Sequence, residues 1–99
     1  MKEARLHPAA EKEAAKAARW YEKQQAGLGR EFRLELEAAL HRLRSRPSRG
    51  ANYKNTAYRF YKMERFPIIL YYLDLPDCLW IAAAAHASRR PDYWRRRQP

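Results

Sequence analysis

One stretch limits the folds open to this chain more than any other. Leu79-Trp80-Ile81-Ala82-Ala83-Ala84-Ala85 is an unbroken apolar run, and it delivers His86 and then Arg89, Arg90, Pro91, Tyr93 and Trp94. Periodicity alone does not separate a short apolar run in a strand from one in a helix. The Leu75-Pro76-Asp77 turn ahead of Cys78 and the Arg90-Pro91 stop behind bound a strand of ordinary length. A buried-type strand of this kind fixes the backbone, and the loop beyond it carries polar, cationic and aromatic side chains to a working surface.

The segments upstream supply what such a strand packs against. Pro8 suits a first helical position, where its missing N–H is no loss. Ala10, Ala14, Ala17, Ala18 and Tyr21 follow at helical spacing, and after Gly27 and Gly29 the spacing returns in Phe32, Leu36, Ala39, Leu40 and Leu43 until Arg46-Pro47. The pattern predicts an antiparallel helical hairpin, with helices near residues 8–25 and 29–45. Residues 47–57 read as an exposed loop. Two further strands are predicted over Tyr58–Met63 and Phe66–Leu73, with a third over Cys78–Ala85 and a short leading strand around Ala4–Leu6 joining an edge. Close spacing makes the pairing antiparallel. The fold class expected is α+β: one domain over residues 1–99, order β-α-α-β-β-β. A hairpin (8–45) covers one face of a small, mostly antiparallel curled sheet (58–85), and the arginines and aromatics of a basic tail (86–99) take the other.

Charge points to the kind of partner. The chain of 99 residues carries a formal net charge of +10. Residues 1–44 hold ten Lys and Arg against seven Glu, a mixed helix surface, whereas residues 45–99 hold eleven against four acidic residues. A field of that sign concentrates polyanions: nucleic acid, an acidic protein segment or an anionic membrane surface. The membrane is the weakest of these, since no apolar stretch approaches the length of a bilayer span. The amino-terminal residues do not resemble a secretory signal. Cys78 stands alone, which fits a core position and a reducing cytoplasm, and leaves no cysteine pair for a metal. No cofactor or metal is expected.

The sequence also resembles a known family. His7-Pro8 opening a helix, the hairpin, Tyr58-Arg59, Arg65-Phe66-Pro67 running into Tyr71-Tyr72, and His86-x-x-Arg89-x-Pro91-x-Tyr93-Trp94 resemble the RelE/ParE superfamily of bacterial type II toxin–antitoxin toxins, over nearly the whole chain. The resemblance implies a toxin held inactive by an acidic antitoxin with a disordered arm, in a hetero-oligomer. RelE-like members cut messenger RNA on the ribosome; ParE-like members poison DNA gyrase without catalysis.

Metal-free RNA cleavage needs a base for the 2′-OH, cations for the phosphate and an acid for the leaving oxygen. The residues available for it are Arg59, Tyr61, Arg65, His86, Arg89 and Tyr93. Arg59 is a poor base because it stays protonated, Ile68-Ile69-Leu70 offers no arginine on the next strand, and Trp94 stands where RelE-like members place tyrosine. These departures favour the ParE-like branch.

Each residue also has a plainer role. His86 suits a general base or, preferably, a strand-end histidine bonded to its loop. Arg59, Arg65, Arg89, Arg90 and Trp94 are expected to bind the target or an anion, although Tyr93 and Trp94 also suit packing back over the sheet. Arg95-Arg96-Arg97 reads as a flexible basic tail. Trp20, Tyr21, Phe32 and Leu36 are the expected antitoxin contacts, with Trp20 lying off the apolar stripe of its helix. The alternatives to a gyrase-inhibiting toxin are a ribosome-dependent mRNA endoribonuclease and a non-catalytic basic nucleic-acid-binding module.

Overall fold

A computed structural model describes residues 1–99. The elements are β1 (Glu3–Leu6), α1 (Pro8–Gln24), α2 (Leu28–Ser45), a 3₁₀ turn (Pro47–Arg49), β2 (Ala51–Asn52), β3 (Arg59–Lys62), β4 (Ile68–Asp74) and β5 (Cys78–His86). The five strands form one sheet in the order β1-β5-β4-β3-β2. All neighbours are antiparallel except β1 and β5, which run parallel with Leu6 beside Ile81. The α+β class, the hairpin and the apolar strand are as the sequence reads. Within residues 47–57, read as loop, the turn and the short edge strand β2 emerge, because Ala51 and Asn52 pair with Phe60 and Arg59.

Local chemistry sets the hairpin. His7 Nδ1 accepts from Ala9 N–H at 3.0 Å, capping α1 ahead of Pro8. The chain reverses at Gly27, whose φ of +89° is a left-handed conformation that glycine adopts without penalty. Glu22 then reaches across the turn, its carboxylate accepting from the N–H groups of Gly27 (2.9 Å) and Gly29 (3.1 Å). A negative group there also complements the dipole of α2. Gly29 is needed for space: a Cβ on it would lie 2.5 Å from the Ala18 carbonyl oxygen, so the two helices touch backbone to backbone.

The sheet carries a core on each face. Against the helices, Phe32, Leu36, Ala39 and Leu43 of α2 and the alanine face of α1 enclose Leu70, Tyr72, Leu79, Ile81 and Ala84. Tyr21, Phe32 and Phe66 interlock there with ring centroids 4.7–5.3 Å apart. Buried Tyr72 donates to the Pro47 carbonyl at 2.6 Å and accepts from Gly50 N–H at 3.0 Å, tying the 47–50 turn to the sheet.

The opposite face was expected to be left to arginines and aromatics. It is instead a second apolar core of Cys78, Trp80, Ala82, Ala83, Ala85 and Trp94, bordered by Tyr53, Tyr58 and Tyr71. Tyr71 pairs with Ala83 and Tyr72 with Ile81, so Ala82 is one residue extra in β5. This bulge resets the alternation: Leu79, Ile81 and Ala84 face the helices, whereas Ala82 and Ala83 both join the second core.

Candidate functional site

The site grows from the end of β5. Past Ile81 no strand lies beside β5 on its β1 side, because β1 ends at Leu6. Side chains take over the open edge. Glu13 of α1 accepts from Ala84 N–H at 3.0 Å, and Arg97 of the tail donates to the Ala82 carbonyl at 2.9 Å. The two side chains face each other as a bidentate pair, with both N–O separations 3.0 Å, at only 15% and 18% exposure. Paired in this way, their charges tolerate the loss of water.

Glu13 also accepts from the Tyr93 hydroxyl at 2.6 Å. Burial, first, and this carboxylate, second, push the Tyr93 phenol well above the usual tyrosine range, so it is a fixed hydrogen-bond donor at neutral pH. The Tyr93 ring in turn carries two guanidinium groups, Arg89 at 4.0 Å and Arg97 at 5.2 Å from its centroid. His86 ends the strand with Nδ1 3.0 Å from Ser88 N–H and 2.7 Å from Ser88 Oγ, a histidine bonded to its own loop.

A second tie closes the far side of the tail. Asp92 accepts from the Tyr53 hydroxyl (2.6 Å) and Lys54 (2.7 Å) and pairs at 3.4 Å with Arg95. Lys54 (φ 50°) and Asp92 (φ 65°) are the two non-glycine residues in the left-handed region, so each holds the other's turn in place. Chiefly the hydrogen bond from Lys54, then that from Tyr53, lowers the Asp92 carboxyl from 3.8 to about 2. A carboxyl whose folded pKa lies below its unfolded one stabilises the fold above the unfolded pKa, and that contribution fades as pH falls towards the folded one. The expected outcome is that wild type loses its advantage over Asp92→Asn between about pH 4 and pH 2, as measured by denaturant unfolding across that range.

The expected site residues divide. His86, Arg89 and Tyr93 come together at the end of β5, and Arg90 stands exposed beside them. Arg59, Tyr61 and Arg65 do not join them. Arg59 donates to the Gly50 carbonyl at 2.8 Å, Tyr61 Oη accepts from Arg42 at 3.4 Å, and Arg65 pairs with Glu31 at 2.9 Å. Each is held by its own partner on the α2 side of the sheet.

Trp94, expected among target-binding residues, is 1% exposed, stacked on Tyr71 at 4.5 Å and flanked by Tyr58 at 4.8 Å. Its side chain presents no surface to a target. Tyr21, Phe32 and Leu36, expected to meet the antitoxin, are likewise enclosed, because the stripe they form is the seam between hairpin and sheet. Trp20 is different: it is 58% exposed, its ring edge-on to Tyr21 at 5.3 Å. Arg97, read as part of a flexible tail, is pinned. Glu13 was missed, and the available signal is its place three residues after Ala10 and four before Ala17, on the flank of the apolar stripe. Asp92 is the one acidic residue among residues 86–99, a second signal.

Fold, charge and site define a small basic α+β protein with a helical hairpin on one sheet face and a tail clasped over the other. The family model of the ParE toxin of type II toxin–antitoxin systems (parDE) matches residues 4–91. The chain belongs to that family, which makes it the toxin component of a type II system, with an antitoxin as its partner. Comparison with curated proteins gives no match. The matched stretch ends at Pro91, so Asp92, Tyr93, Trp94 and Arg97 lie beyond it. No helix is long and apolar enough to cross a membrane.

Proposed function

We propose that this toxin inhibits DNA gyrase through surface contacts, without cutting RNA, and that an acidic, partly disordered antitoxin neutralises it in the cytoplasm. The observation that carries the reading is the dispersal of the side chains an RNA-cleaving site would need. Arg59 is spent on backbone carbonyls of the 47–50 turn, and Arg65 on Glu31. The middle of β4 turns buried Ile68 and Leu70 into the helix-facing core, with no cation between them. Losing one donor to a developing anion slows a reaction by about 100- to 1000-fold. Losing the base as well leaves little nuclease activity.

Two of the cations that make no ion pair stand together elsewhere. Arg89 and Arg90, in the loop after β5, have no ion-pair partner and face solvent, which suits contact with an acidic protein surface. The test is induction of the protein alone in a bacterial host, with plasmid supercoiling and transcript integrity followed together. Supercoiling is expected to collapse with transcripts intact, and Arg89→Ala to weaken inhibition by about 10-fold. Site-specific cuts in ribosome-bound messenger RNA, abolished by Arg59→Ala with supercoiling untouched, overturn the reading.

A further inference from the structure

The outward face of α1 carries a row of cations that neither the core nor the contacts of Arg89 and Arg90 employ. Lys12, Lys16, Arg19 and Lys23 stand at positions i, i+4, i+7 and i+11 of one continuous helix. In α-helical geometry they fall within about 60° of one another around the axis and extend over about 16 Å. All four are exposed, and none makes an ion pair. Like charges at these spacings repel, so the row works against the helix that bears it.

The carboxylates of α1 do not relieve that repulsion. Glu13 is taken by Ala84 N–H, Tyr93 Oη and the two terminal nitrogens of Arg97. Glu22 is turned to the N–H groups of Gly27 and Gly29. Glu11 sits in the first turn, where it complements the helix dipole, about 100° around the axis from Lys12. The helix thus bears three acidic side chains, and none of them lies in the row.

The chemistry of the row selects its partner. A membrane-binding helix needs an apolar face to insert, and that of α1 (Ala10, Ala14, Ala18 and Tyr21) is buried in the core. A protein interface has a desolvated centre built on large apolar side chains, and the row holds none; Trp20 lies off it, on the side of Glu13. Nor does the row offer the hydroxyl, amide or aromatic groups that engage a 2′-OH or an unstacked base. What it offers is point charge at regular intervals. Each strand of B-form DNA presents one phosphate per about 3.4 Å of helix axis, so the row runs past about five of them.

We infer that α1 lies along the backbone of duplex DNA, with Lys12, Lys16, Arg19 and Lys23 each neutralising a phosphate and none reading sequence. The inference goes beyond contact with gyrase and does not depend on it. Purified full-length toxin is titrated into a fluorescent DNA duplex of arbitrary sequence, and anisotropy is followed from about 50 to 200 mM salt. The logarithm of the affinity is expected to fall against that of the salt concentration with a slope of about −3.6, the value for four phosphate contacts. Lys16→Gln with Arg19→Gln is expected to reduce the slope to about −1.8 and to weaken binding at least about 10-fold. Removing like charges leaves the melting temperature of this variant at or above that of wild type, so its weaker binding is not unfolding. Arg30→Gln with Arg33→Gln, the same loss of charge from exposed positions on α2, changes affinity less than about 2-fold.

Absence of duplex binding at the lowest salt overturns the inference. So does an equal loss of affinity in the two double variants, which reduces the effect to net charge. Tighter binding of single-stranded DNA or of duplex RNA of the same sequence also overturns it. If the expected binding changes occur but the toxin leaves supercoiling untouched, the DNA assignment of α1 stands and the gyrase reading falls.

Discussion

Trp94→Ala destabilises the protein by about 3–5 kcal/mol, the range for truncating a large aromatic in a packed core. The indole is enclosed by Tyr71, Tyr58 and Tyr53, with ring centroids 4.5, 4.8 and 5.4 Å away, and lies over Ala83 and Ala85. Those alanines are small because the indole fills the space above them. A methyl group leaves a void that neither the alanines nor the strands can close. For a domain of this size the melting temperature falls by at least about 12 °C, which thermal unfolding followed by circular dichroism measures. Trp94→Phe keeps most of the ring and recovers more than half of the loss. Any loss of toxicity in Trp94→Ala is therefore a loss of folded protein, and toxicity per folded molecule stays at the wild-type level. A variant that melts like wild type yet is inactive contradicts this account.

Glu13→Ala has the second largest effect, about 3 kcal/mol, because it strips four donors of their acceptor at once. Ala84 N–H and Tyr93 Oη lose their partner, and Arg97 is left largely buried with only the Ala82 carbonyl to bond. An unpaired guanidinium in that position is worse than none. Glu13→Gln recovers part of the loss, since it still accepts from Ala84 N–H but carries no charge. Replacing Glu13 and Arg97 together by methionine costs less than the sum of the single replacements, and a double-mutant cycle in urea measures the difference. Strictly additive losses show that the pair is not coupled. Arg89 responds too: with Tyr93 released, the ring beneath its guanidinium is no longer fixed, so Glu13→Ala increases the mobility of that cation.

The two helices were legible because their signals are local. Pro8, the recurring alanines, Gly27 and Arg46-Pro47 lie within the elements they start, face or stop, and no distant residue is needed to interpret them. β3, β4 and β5 were legible for the same reason, from alternation and from the Leu75-Pro76-Asp77 turn. β2 was not, since Ala51 and Asn52 carry no strand signal and become a strand only by pairing with β3. At the site, His86, Arg89 and Tyr93 lie side by side because one short loop holds them. The resemblance to RelE-like toxins grouped Arg59, Tyr61 and Arg65 with them, and a matching position in the chain does not say which partner claims a side chain first.

Element order, the hairpin, the apolar strand and the basic surface can be read along the chain, because each is a property of residues within a few positions of one another. Which face each apolar residue serves depends instead on strand pairing across the sheet. The bulge at Ala82 moves every later residue of β5 across the sheet, and no periodicity announces it. Tertiary structure alone also turned the tail from a basic extension into a lid. Trp94 finds its cavity among residues from Tyr53 to Ala85, and Arg97 finds Glu13 across |i−j| = 84 positions of chain. Contacts at such separations arise when folding brings a hydrophobic cavity and a buried carboxylate within reach, so the chain that lies between them, and not the tail's own composition, fixes where the tail goes.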